Sequence, residues 1–154
     1  MRQHRRYKNF RGLGVPVLFM LFGCGGYGSG SSSTTPTTPT GGTDALEAKF
    51  SSIQSKIFTP TCAVSGCHVM GAQAPSLEKD LAFGDLVNVP SQQAKGQTLV
   101  VRSDATASYL IRKLLGTHTE VGGSGSRMPK VGDQLSQSNI DVIKKWIDDG
   151  AKND

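Results

Sequence analysis

Apolar positions recur with a helical period at several places in this chain, all of them beyond residue 44. Leu46, Phe50, Ile53 and Ile57 are spaced by four, three and four, which puts them on one face of a 3.6-residue period. The pattern predicts a helix over 44–58, with Asp44 and Glu47 resembling a capping box and Pro60 marking the stop. Ile140, Ile143, Trp146 and Ile147 make a second stripe. It predicts a helix over 137–149, capped by Ser136, with Gly150 suited to the C-terminal turn. Between them, "DATASYLIRKLLG" at 104–116 predicts a third helix, capped by Asp104, turning Tyr109, Leu110 and Leu114 inward and ending at Gly116. Leu81 and Leu86 mark a weaker fourth over 78–87. The run "TLVV" at 98–101 suits an extended segment, but one such segment makes no sheet. The expected fold class is all-α, with short helices joined by long loops.

Before residue 44 the pattern is of a different kind. Residues 1–11 hold five basic side chains and no acid, and the apolar run "LGVPVLFMLF" follows at 13–22. Ten residues with a Pro and a Gly fall short of the about 20 needed to cross a bilayer. A basic stretch plus a short apolar core is the pattern of a secretory signal. The run ends in "LFGC", which resembles a bacterial lipobox; a signal peptide over 1–23 and a lipid-bearing Cys24 are expected. Several acyl chains on one terminus exceed the two signals that stable anchoring takes. Apart from Tyr27, residues 25–43 are Gly, Ser, Thr and Pro, so 24–43 is expected to be an anchored tether. As a flexible coil it would span roughly 25 Å. One domain remains, 44–154, whose length suits a single modest core. The expected location is the cell envelope, lipid-anchored to a membrane, with the domain in the periplasm or at the cell surface.

This division changes the meaning of the charge. The chain carries a formal +5, and the five basic residues of 1–11 account for all of it. From Cys24 onward twelve Lys and Arg face twelve Asp and Glu, a net of zero. The basic signal that would suggest nucleic acid belongs to the leader, so nucleic-acid binding drops out.

The chemistry concentrates in "CAVSGCHV" at 62–69, which holds Cys62, Cys67 and His68; the remaining thiol is Cys24. Four readings fit a close Cys pair in an exported domain. A Cys62–Cys67 disulfide would close only a small loop and leave His68 unexplained. Zinc could recruit His118 as a fourth ligand, without the usual paired His. A redox dithiol would prefer Cys-x-x-Cys at a helix start beside a sheet. Covalent haem uses all three residues: two thiols add across the vinyl groups and the adjacent His ligates iron. The spacing here is C-x-x-x-x-C-H, two residues longer than the common form, and the extra length can bulge as a loop.

The segments "IFTPTCAVSGCH", "APSL", "SYLIRKL", "RMP" and "LSQSNIDVIKKWIDDGA" occur in this order. Over about 50–151 the chain resembles bacterial monohaem class I cytochrome c domains, many of them lipoproteins. The resemblance implies a cytochrome c-like fold around one covalently bound haem c, with the first and last helices crossing. It implies attachment at Cys62 and Cys67, His68 as proximal iron ligand, and a distal Met in the loop before the final helix. Signal cleavage would remove Met1, Met20 and His4, and Met70 follows His68 too closely to reach the opposite ring face. Met128 and His118 are left, and Met128 in "SRMPK" fits the family pattern. Pro75 of "APSL" matches the segment whose carbonyl, in this family, orients the proximal His.

The implied function is one-electron transfer with redox partner proteins of the envelope, by a monomer that is an electron carrier and not an enzyme. The rival is a haem-free binding domain of a lipoprotein held by the Cys62–Cys67 disulfide. A haem enzyme or gas sensor would need the distal iron position open.

Overall fold

The structure, a computed structural model, describes residues 45–69 and 71–154. The expected leader 1–23, the lipid-bearing Cys24, the tether 25–43, the cap Asp44, and Met70 lie outside the described residues.

Four α-helices follow one another: α1 (Phe50–Ile53), α2 (Ala82–Leu86), α3 (Tyr109–Leu115) and α4 (Gln137–Asp148). α1 runs on without a break as a π-helical segment, Gln54–Cys62, and a short 3₁₀ turn covers His118–Val121. The described residues contain isolated β-bridges, such as Val87 with Val100 and Pro90 with Thr98, but no strand. The fold is all-helical, and of 98–101 Thr98, Val100 and Val101 take part only in isolated bridges.

α4 follows its sequence closely. Ser136 Oγ accepts the Asn139 N–H, which satisfies one of the donors a helix start leaves open. Ile140, Ile143, Trp146 and Ile147 are all buried, and Gly150 takes a φ of +105° just past the end.

α1 departs from expectation at both ends. It begins at Phe50, not 44, and Glu47 forms an exposed ion pair with Lys49 at 2.8 Å. Its open donors are met from the far end of the chain. Phe50 N–H donates to Asp154 Oδ1 at 2.9 Å, and Ser51 N–H to the Asp154 backbone oxygen at 2.9 Å. Nor does Pro60 stop it. Pro has no N–H to give to the ladder, and the helix absorbs that loss inside the wider π winding, whose bonds run to residue i−5. The last of these is Ala63 N–H to the Phe58 carbonyl at 2.7 Å.

Two further boundaries shrink. α2 covers 82–86 instead of 78–87; Leu86 is buried but Leu81 is 52% exposed. α3 covers 109–115: it ends before Gly116 as expected, but it starts after Ser108 and not after Asp104. Asp104 caps a preceding turn, its Oδ1 accepting the Ala107 N–H at 2.8 Å.

The core joins the first helix to the last. Phe50 meets Phe58 and Phe83 edge-on, at 6.3 and 5.2 Å between ring centroids, and lies tilted against Trp146 at 5.5 Å. Ile53, Ile57, Ile140, Ile143 and Ile147 close around this group, each almost wholly buried. α3 adds Ile111 and Leu114. Tyr109, Leu110 and Lys113 on the same helix, together with Leu114, line a cavity.

Candidate cofactor site

That cavity measures about 830 Å³, within the range of roughly 300–1,000 Å³ typical of small-molecule and cofactor sites. Ile57 and Phe58 of the first helix, Leu86 of α2, and Leu110 and Leu114 of α3 give it apolar walls. Into the same space come Cys62, Cys67, His68, Pro75 and Met128. Residues far apart in sequence thus meet around one volume.

The cysteine loop is held by its own backbone. Cys67 N–H donates to the Val64 carbonyl at 2.9 Å, and His68 N–H to the Cys62 carbonyl at 3.1 Å. Gly66 is third in the Val64–Cys67 turn at φ +77°, the left-handed conformation that favours glycine there. The two extra residues of the longer spacing are taken up in this turn. Both thiols are free and partly exposed. Burial, with a smaller contribution from Cys67, pushes the Cys62 thiol up to about 11.

His68 is fixed at ring and backbone. Its Nδ1 lies 2.8 Å from the Pro75 carbonyl oxygen, and its own carbonyl accepts the Leu77 N–H at 2.8 Å. A carbonyl can only accept, so Nδ1 carries a proton, and in the neutral ring Nε2 then keeps its lone pair. That is the ligating tautomer, oriented by the kind of outer partner that metal-bound histidines use. Gln54 steadies the same loop from the π-helical segment, its Nε2 donating to the Leu77 carbonyl at 2.9 Å.

Met128 arrives on a loop anchored to α3. The last carbonyls of a helix lack partners within it. Here Met128 N–H donates to Lys113 O at 2.9 Å, and Gln134 Nε2 reaches Leu114 O at 3.5 Å. The methionine is half-buried and packs against the core cluster while lining the cavity.

His118, the other candidate for a distal ligand, is absent from the cavity wall. It is buried in its own loop with Nε2 2.9 Å from the Gly125 carbonyl. Among the described residues no three His, Cys, Asp or Glu side chains converge as a metal-holding group, so the zinc arrangement with His118 is not assembled.

Sequence reasoning passed over Lys113. It lines the cavity one turn after Tyr109, only 7% exposed, with its Nζ donating to the Ser124 carbonyl at 3.1 Å. Burial holds its ammonium pKa below the ordinary lysine range, and that of the equally enclosed Tyr109 above the ordinary tyrosine range. The signal was present: 109, 110, 113 and 114 share one helical face, and a lysine on it cannot be solvated freely.

No protein-family model, curated protein or solved structure matches the chain.

Proposed function

We propose that this chain is a monohaem c-type cytochrome with a cytochrome c-like fold, carrying single electrons between proteins of a bacterial cell envelope. One observation carries the reading: Cys62, Cys67, His68 and Met128 line the same largely apolar cavity, with His68 held in the ligating tautomer by Pro75. These residues fit a haem c. Each of the two thiols would add across a vinyl group, sulfur bonding to carbon and the proton moving to the neighbouring carbon, with no leaving group. His68, through Nε2, and Met128, through its sulfur, would supply the ligands to iron. Bound haem supplies a one-electron Fe(II)/Fe(III) couple; the chain supplies attachment, ligands and exclusion of water. No acid–base step is required, and the protein acts as a carrier without being an enzyme. Val64 and Val131 line the cavity as exposed apolar side chains, 39% and 82% accessible, and offer contact to a redox partner. The leader and "LFGC" support anchoring through a lipid on Cys24, with the haem domain outside the cytoplasm.

The test is expression with a competent haem-attachment system, followed by intact mass and haem staining after denaturation. The mass should rise by one haem that resists acid–acetone extraction, and Cys67→Ala should leave at most one thioether. A wild-type product holding only a Cys62–Cys67 disulfide would overturn the reading in favour of the haem-free binding domain.

A further inference from the structure

One corner of the cavity has the wrong chemistry for an apolar pocket. Lys113 Nζ, the Gln93 side chain and the backbone at Gly125 meet there: a Cβ on Gly125 would lie 3.5 Å from Nζ and 3.6 Å from Gln93 Nε2. Gly125 sits at φ +79°, and all three residues line the cavity. Ser124 staples the corner from behind, its carbonyl accepting from Lys113 Nζ and its N–H donating to the Gln93 carbonyl at 3.1 Å.

An ammonium group has three donors, and here one is used. Among the described residues no carboxylate pairs with Lys113; the four ion pairs all involve other cations. A lysine needing only solvent would extend its stem and put the charge in water. This one is 7% exposed. Buried charges in proteins are paired or neutralised, and the open side of this one faces the cavity.

We propose that the cavity's occupant presents an anionic edge to this corner, and that Lys113, with Gln93 as second donor, is the buried counter-charge to a haem carboxylate. The assignment rests on the haem reading and adds to it a charge that sets redox equilibrium. Reduction places one more electron in the cavity, and a fixed cation beside it favours the reduced form. Lys113 acts through the carboxylate, as a positioning residue that also tunes potential.

The experiment uses the haem-loaded full chain, with carbon-13 in the haem carboxylates and reduced-minus-oxidised infrared spectra. Lys113→Met should shift the carboxylate bands. It should also lower the reduced-to-oxidised ratio at the wild-type midpoint about three- to tenfold, a drop of roughly 30–60 mV. Lys113→Arg should restore both. A lysine serving only to pack α3 against the loop would leave the bands where they were, and unmoved bands in Lys113→Met overturn the assignment. If that variant does not accumulate, Gln93→Leu decides: a smaller shift of the same bands supports the corner, and none overturns it. Absence of haem from the wild type would overturn both readings, whereas haem with unmoved bands overturns this one alone.

Discussion

His68 and His118 make the same bond with opposite nitrogens. Each ring is held by the carbonyl of the residue seven positions ahead, Pro75 at 2.8 Å and Gly125 at 2.9 Å. His68 uses Nδ1, the nitrogen nearer its own backbone, and keeps the outer Nε2 on a residue that lines the cavity. His118 uses Nε2 and is left with Nδ1, buried, without a hydrogen-bond partner and away from the cavity. Sequence spacing cannot separate the two. The nitrogen that each loop occupies decides which imidazole can serve as a ligand and which only closes its loop.

Three substitutions test this contrast. The largest effect is expected from His68→Ala, which should abolish the low-spin haem spectrum and leave little stable loaded protein, as measured by absorbance and haem stain. Met128→Ala comes next. It should remove the weak far-red iron–sulfur band, admit carbon monoxide, and lower the potential by at least about 59 mV, a tenfold change in redox equilibrium. The smallest effect is expected from His118→Ala: an unchanged spectrum and potential, with stability reduced by about 1–3 kcal/mol in denaturant titration, for the lost buried hydrogen bond and packing. A ligand-field change in His118→Ala with none in Met128→Ala would reverse the assignment of the distal side. Ready binding of carbon monoxide by the wild type would revive the open-site enzyme or sensor.

Legibility in the sequence followed the range of the forces. α4 could be read almost to the residue, because its stripe and its Ser136 cap are both local. The start of α1 could not, because its cap is Asp154, supplied from 104 positions away. Pro60 misled for a related reason: its penalty is real, but π winding absorbed it. Within the candidate site, Cys62, Cys67, His68, Pro75 and Met128 were all marked by residue type and order, and the structure brings them to one cavity. Lys113 was not marked, since a lysine on a short helix is ordinarily a solvated one. Its meaning comes from burial, which depends on the loop 124–128 folding over it.

The Asp154 clasp also implies an order of events. Closing a loop costs entropy that rises with its length, and this contact joins Phe50 to Asp154 across 104 positions. α4 carries its own cap and can form while α1 still lacks one. The start of α1 is therefore expected to close later than α4, and on the haem reading that delay would leave Cys62 and Cys67 open to attachment for longer. Pulse-labelled hydrogen exchange during refolding should find the α4 amides protected before those of Phe50 and Ser51. Simultaneous protection would mean that the clasp closes as early as α4 and that no such order exists.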